Sequence, residues 1–158
     1  MSSREPGPDT RARNSAMRLL ARREHSRAEL RGKLVGRGFE NDSVEELLQG
    51  LEDQDLLSDE RFAMSLIASR AETGYGPKRI DLELRNRGVS EELAREALTK
   101  AEVDWGQQVT DLAVRKFGSD PAQTFPEWAR RARYLERRGF GQEAIRQAIG
   151  NFERGAET

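Results

Sequence analysis

The chain has 158 residues, of which 35% are charged and 35% are apolar, and its formal net charge is −1. It contains no cysteine, which excludes disulfides, thiolate catalysis and zinc–thiolate sites and is typical of a reducing compartment. No apolar run approaches the roughly 18 residues that a membrane helix needs, so we expect a cytoplasmic protein that does not span a membrane.

The predicted elements begin after a lead of low apolar content, residues 1–14, which we expect to be disordered. Apolar residues at spacings of three and four then predict helices throughout, and no stretch alternates with the period of a strand. Helix starts are marked by Ser26-x-x-Glu29, Ser58, Gly76-Pro77, Ser90 and Thr124-x-x-Glu127.

An internal repeat organises these helices. Leu34-x-x-Arg37-Gly38, Leu84-x-x-Arg87-Gly88 and Leu135-x-x-Arg138-Gly139 each precede an apolar residue. A glycine after a helix supplies a left-handed residue cheaply, so each motif predicts a helix end of the Schellman type with arginine near the negative pole of the helix dipole.

The fold class follows from this repeat: all-α, with three tandem three-helix repeats at 15–53, 54–104 and 105–153 and a frayed tail at 154–158. We expect the repeats to form an elongated or curved array, with one compact bundle as the alternative. Whether Gly106 breaks a helix is left open.

Charge is sorted into blocks along the chain. Residues 1–38 carry ten Lys/Arg against four Asp/Glu, and residues 39–60 carry nine acids and no base. Basic residues recur at or around the middle helix of each repeat, which is how a stripe that follows a polyanion would be built. The candidate partner-binding or nucleic-acid-binding residues are Arg22, Arg23, Arg27, Arg31, Lys33, Tyr75, Lys78, Arg79, Arg85, Arg130, Arg131, Arg133 and Arg137.

Catalytic signatures are missing from the sequence. His25 is the only histidine and precedes a helix cap, so we interpret it as a structural residue. The acid pairs Glu45/Glu46, Asp53/Asp55 and Asp59/Glu60 fit helix starts and exposed faces better than a magnesium site. We therefore expect no catalytic residue, no metal and no cofactor.

Three stretches together form a recognisable signature: Arg22-Arg23-Glu24-His25-Ser26 leading to Gly38-Phe39; Leu57-Ser58-Asp59-Glu60-Arg61-Phe62-Ala63 leading to Gly74-Tyr75-Gly76-Pro77-Lys78-Arg79 and Gly88-Val89; and Tyr134-Leu135-x-x-Arg138-Gly139-Phe140. Over about residues 16–152 the chain resembles the RecX family of bacterial recombination regulators.

The resemblance implies a non-enzymatic modulator of the RecA recombinase. Such proteins bind the RecA nucleoprotein filament, commonly along its groove, and suppress strand exchange, ATP hydrolysis and the coprotease activity that triggers the SOS response. Some also bind single- or double-stranded DNA directly, and we expect a monomer. The family has no catalytic motif to transfer.

Two rival functions stay open from the residues alone. Three-helix units with basic middle helices are compatible with an autonomous DNA-binding module of helix-turn-helix type, although the net charge of −1 weighs against it. A passive helical adaptor would instead use its acidic faces on a protein partner.

Overall fold

The structure is a computed structural model and describes residues 5–152. Within that range the chain forms nine α-helices and no strand, which confirms the all-α prediction. In chain order the helices are α1 Pro8–Arg22, α2 Arg27–Gly36, α3 Asn41–Asp53, α4 Asp59–Glu72, α5 Pro77–Asn86, α6 Glu91–Lys100, α7 Trp105–Phe117, α8 Phe125–Arg137 and α9 Gln142–Ile149. None of them combines the length and apolar content needed to cross a bilayer.

The chain divides into two compact units. Residues up to Ser65 together with Leu84–Ala97 form unit 1, and Leu66–Glu83 together with the residues from Leu98 onwards form unit 2. Repeats 1 and 3 each lie within one unit, whereas the helices of repeat 2 contribute to both. The exact repeat boundaries stay a prediction.

Each unit has a core built from one complete three-helix repeat. In unit 1, α1, α2 and α3 pack on one another around Leu30, Leu34, Val44, Leu48 and Leu51, all fully buried. In unit 2, α7, α8 and α9 pack together around a second cluster, which contains Val109, Leu112, Ala113, Leu135, Phe140 and Ile145. The predicted helix stripes supply these cores, since residues three and four apart share one face of a helix.

The three glycine motifs end their helices as the sequence predicts. Gly38, Gly88 and Gly139 have φ angles of 93°, 90° and 103°. In each motif the residue after glycine donates its amide to the leucine carbonyl, and the glycine donates to the carbonyl one residue further on. These two bonds define the Schellman cap. A fourth cap of the same kind, at Gly74, ends α4.

The helix starts also follow the predicted signals. Ser26 and Glu29 form a complete capping box, and the hydroxyls of Ser58 and Ser90 accept from the amides three residues later. Thr124 accepts from the amide of Glu127, but that carboxylate turns to the amide of residue 123 instead of closing the box.

The start of α1 corrects one prediction. The helix begins at Pro8, so residues 8–14, which we expected to be disordered, form its first turns. Pro8 is in the first turn, and the small residues Ala12, Ser15 and Ala16 are buried along one face. This stripe is poor in large apolar side chains, which is why composition alone missed it. Residues 1–4 of the predicted lead and the tail at 154–158 lie outside the described residues.

Gly106 lies inside the first turn of α7 and does not break a helix. The break between repeats 2 and 3 falls earlier, between Lys100 and Trp105, where Asp104 caps α7 by accepting from the amide of Gln107 at 3.1 Å.

Candidate functional site

A joint in unit 1 brings the start of α2 against the end of α5. We call it the α2–α5 joint, formed by Ser26–Glu29 and Arg87–Gly88. The Ser26 hydroxyl accepts from the Glu29 amide at 3.0 Å and donates to the Arg87 carbonyl at 2.5 Å. A Cβ at Gly88 would overlap the Cβ of Ala28. The positive end of one helix thus meets the free carbonyls of another, which satisfies polar groups that both helix ends leave without partners.

Unit 2 contains a joint of the same design, between the start of α5 and the end of α8. We call it the α5–α8 joint, formed by Tyr75–Arg79 and Arg137–Gly139. The Gly76 amide donates to the Arg138 carbonyl at 2.7 Å, and the Lys78 amide donates to the Gly139 carbonyl at 3.0 Å. A Cβ at Gly139 would stand 2.5 Å from the Cβ of Arg79, so both joints need a glycine for space as well as for backbone conformation.

Most predicted cations of unit 1 are engaged by carboxylates. Arg23 makes a two-pronged pair with Glu29 at 2.9 and 3.0 Å. Arg27 pairs with Glu45 at 2.9 Å and Glu52 at 3.2 Å, and Arg31 also pairs with Glu45 at 2.9 Å. Of the acid pairs considered above as magnesium ligands, Glu45 is thus engaged by two arginines. Among the candidate arginines of this region, Arg22 alone is exposed without an ion pair in residues 5–152.

Lys33, the remaining candidate cation of unit 1 near α2, is hydrogen-bonded to His25. His25 is 1% exposed, its Nδ1 lies 3.1 Å from the Arg23 carbonyl, and its Nε2 lies 2.8 Å from Lys33 Nζ. An ammonium only donates, so Nε2 accepts and Nδ1 carries the proton. Burial lowers the pKa of both side chains, and the nearby Arg23 guanidinium lowers them further. His25 is thus a buried, hydrogen-bonded structural residue beside the α2–α5 joint.

Glu29 links the charges of the α2–α5 joint. Burial by itself raises the pKa of its carboxyl, but Arg23 and Arg87 outweigh that effect and hold the pKa below its ordinary value. Arg87 reaches the same carboxylate at 3.1 Å from the end of α5. One carboxylate thus accepts from two arginines, which ties the two sides of the joint together.

The α5–α8 joint carries cations of a different kind. The guanidiniums of Arg79 and Arg138 lie 4.3 and 4.1 Å from the centroid of the Tyr75 ring. Arg79 also donates to the Arg137 carbonyl at 3.3 Å. Lys78, Arg79 and Arg137 are exposed, and none of them has an ion pair within the part of the chain that the structure describes. Within residues 5–152 these three cations are therefore not neutralised by a direct ion pair.

A row of arginines on α8 extends this positive charge. Arg130, Arg133 and Arg137 are spaced by three and four residues, so they share one face, and all three are exposed. Arg131 differs: it is 12% exposed, pairs with Glu127 at 2.7 Å and donates to the Asp120 carbonyl. We define the unit 2 cationic surface as Tyr75, Lys78, Arg79, Arg130, Arg133 and Arg137. Arg85, another of the predicted binding residues, is exposed but belongs to unit 1.

Sequence reasoning missed the role of Arg138. Its Nε donates to the Gly74 carbonyl at 3.1 Å and its Nη2 to the Thr73 carbonyl at 2.5 Å, so it caps α4 while it contacts the Tyr75 ring. The Arg-Gly motif predicted only its position at the end of its own helix. Its partners lie 64 and 65 residues earlier in the chain, and no local pattern reports them.

Comparisons with protein families match the three repeats one by one. Models described as the first, second and third three-helix domains of RecX match residues 12–51, 58–98 and 104–149.

Curated relatives agree over nearly the full length. "Regulatory protein RecX" from Halorhodospira halophila is 44% identical over 136 residues, with 86% of this chain and 84% of the relative covered. The protein of that name from Cronobacter sakazakii is 42% identical, with 91% of this chain and 93% of the relative covered. The one from Chromohalobacter salexigens is 41% identical, with 96% of each chain covered.

Solved structures share the fold. The crystal structure of RecX from Lactobacillus salivarius superposes with a TM-score of 0.76 at 24% identity, covering 90% of this chain and 94% of that one. A crystal structure titled regulatory protein RecX gives a TM-score of 0.74 at 21% identity, covering 94% of this chain and 80% of that one.

Proposed function

This chain belongs to the RecX family of regulatory proteins, and from that premise we propose that it binds RecA–DNA filaments and inhibits the recombinase, ATPase and coprotease activities of RecA. The single observation that carries the proposal is the match of all three helical domains, in order, together with relatives at 41–44% identity that are named as regulators. Its place of action would be the cytoplasm, in DNA repair, recombination and the SOS response.

A non-enzymatic mode of action is part of the proposal. The chain's one histidine is buried and hydrogen-bonded through both ring nitrogens, so it is not available as a general base. The acids nearest to it serve ion pairs. Regulation would then come from binding alone, by favouring one state of the filament over another.

We assign the filament contact to the unit 2 cationic surface. The filament contains DNA, whose phosphates attract arginine and lysine strongly and in a salt-dependent way. In unit 1 the candidate cations Arg23, Arg27 and Arg31 form ion pairs with Glu29, Glu45 and Glu52. Lys78, Arg79 and Arg137, in contrast, have no carboxylate partner within residues 5–152. Binding of these three cations to a phosphate therefore does not require an ion pair within the protein to be broken first.

The test is a titration of RecA ATPase and coprotease activities with this protein. We expect both activities to fall. Loss at a small fraction of the RecA concentration would indicate action on filament growth, and loss only near equal amounts would indicate coating of the filament. Full activity at equal amounts would refute the proposal.

The alternative is an autonomous DNA-binding module, favoured by the same unpaired arginines. Fluorescence anisotropy with labelled single-stranded DNA, with and without RecA, separates the two over a salt series. Tighter binding to the filament than to bare DNA supports the regulator. Equal or tighter binding to bare DNA supports the alternative, and failure to bind either leaves the adaptor with a protein partner.

A further inference from the structure

The three glycine-terminated helix ends have the same backbone conformation, but the groups that contact their last carbonyls differ. The Arg87 carbonyl accepts from Ser26, and the carbonyls of Arg138 and Gly139 accept from the start of α5. Among residues 5–152 no donor reaches the carbonyls of Arg37 or Gly38, and a Cβ built at Gly38 meets nothing within 4 Å. The end of α2 is thus built like the two occupied ends but has no occupant among residues 5–152.

Space for an occupant exists beside this helix end. A groove of about 490 Å³ runs between the first turns of α1 and the turn from α2 to α3, lined by residues that include Arg11, Gly38, Phe39 and Ser43. At the two occupied ends the corresponding space is filled by the start of the middle helix from the preceding repeat. Within residues 5–152 no helix fills the corresponding space beside the end of α2.

We propose that the open end of α2 binds the start of α8 from a second copy of this chain. Within one chain the start of α2 sits on the end of α5, and the start of α5 sits on the end of α8. Among the described residues, 5–152, the start of α8 and the end of α2 do not take part in such a joint. Two copies can therefore repeat between chains the joint that each chain makes twice internally.

The cap of α8 has the chemistry that the joint uses. The Thr124 hydroxyl accepts from the Glu127 amide at 3.3 Å, as the Ser26 hydroxyl accepts from the Glu29 amide at 3.0 Å. In the α2–α5 joint the serine proton then goes to the Arg87 carbonyl. The threonine proton goes to the carbonyl of Arg37 in the partner copy. Thr124 is exposed and able to make this contact.

The contact joins two different surfaces, so it is head-to-tail and can propagate along a row of copies. One helix end buries far less than the roughly 1,200–2,000 Å² of a stable complex, and we expect a Kd on the order of 0.1–1 mM. The chain is then a monomer at micromolar concentration, and copies meet when a shared support raises their local concentration. The inference does not depend on the proposed function, and its test uses this protein alone.

The chain contains no cysteine, so a cysteine introduced at a chosen position is the only thiol available for crosslinking. One variant carries Arg11→Cys in the groove and another carries Gln123→Cys beside the α8 cap, both at exposed positions. The two are mixed at a few hundred micromolar with a short bis-maleimide, and circular dichroism confirms that each is folded. The matched control replaces Arg11→Cys by Arg18→Cys, which is exposed on α1 and does not line the groove.

We expect the mixture to form crosslinked dimers at least about fivefold faster than the control, because docking raises the local concentration of the two thiols. Thr124→Ala in the Gln123→Cys chain should reduce that excess. Ser43→Cys, also in the groove, replaces Arg11→Cys if that variant misfolds. A rate equal to the control with both groove positions would overturn the proposal.

Discussion

The repeat glycines offer a comparison within one folding unit. Gly38 and Gly88 both lie in unit 1 and have φ angles of 93° and 90°, so alanine at either position meets the same backbone cost of about 1–2 kcal/mol. The two differ in space. A Cβ at Gly38 meets nothing within 4 Å, whereas a Cβ at Gly88 overlaps Ala28.

We expect Gly38→Ala to lower the free energy of unfolding by about 1–2 kcal/mol. Gly88→Ala should cost about 2–5 kcal/mol, because overpacking adds about 1–3 kcal/mol to the same backbone term. In a chain of this length the extra loss corresponds to a drop in Tm of about 2–12 °C. Urea titration followed by circular dichroism measures both variants against the parent.

A double-mutant cycle isolates the steric part. Ala28→Gly removes the atom that the new Cβ would strike, so combining it with Gly88→Ala should recover about 1–3 kcal/mol. Equal losses for Gly38→Ala and Gly88→Ala, with no recovery in the double variant, would show that the α2–α5 joint is not packed as described.

Three further predictions concern individual contacts. Burial lowers the pKa of His25 beside Lys33, so below about pH 6.5 the folded chain binds a proton on this group less readily than the unfolded chain does. Stability should therefore be full above about pH 6.5 and fall as the pH drops below that value, which urea midpoints at a series of pH values would report; a flat profile would count against the buried neutral imidazole. Arg138→Lys removes the planar donors that cap α4 and should cost about 1–3 kcal/mol in the same assay, while an unchanged midpoint would make those bonds unimportant. The two-pronged pair of Arg70 with Glu83, at 2.8 and 2.7 Å and partly exposed, should show a coupling of about 0.5–1 kcal/mol in a double-mutant cycle, and zero coupling would mean that water competes successfully for both ends.

Residues close together in the sequence are sufficient to predict the repeat and the ends of its helices. A leucine, a glycine four residues later and a following apolar residue specify a Schellman cap by themselves, and all three predicted caps are present. Ser26 and Glu29 likewise form their capping box from side chains three residues apart. The apolar pattern does not predict the start of α1, because the buried face of its first turns consists of alanine and serine.

The candidate site could not be predicted from the sequence in the same way, because it depends on contacts between residues far apart in the chain. Arg37, Arg87 and Arg138 occupy the same place in their motifs, yet they donate to Ser15, to Glu29 and to the end of α4. Arg27 is neutralised by acids 18 and 25 residues away. Charge blocks in the sequence therefore located the cations, and only tertiary pairing distinguishes the structural arginines from those that are free to bind a partner.

Two double charge reversals, compared for their effect on binding to RecA–DNA filaments, test whether the unit 2 cationic surface makes the filament contact. Lys78→Glu with Arg79→Glu alters the unit 2 cationic surface, and Arg18→Glu with Arg115→Glu changes the net charge equally at exposed positions outside it. Filament affinity and ATPase inhibition should fall at least about tenfold in the first variant, since each lost phosphate contact costs on the order of 1 kcal/mol, and should stay near the parent level in the second. Equal behaviour of the two folded variants would contradict the assignment of the filament contact to this surface.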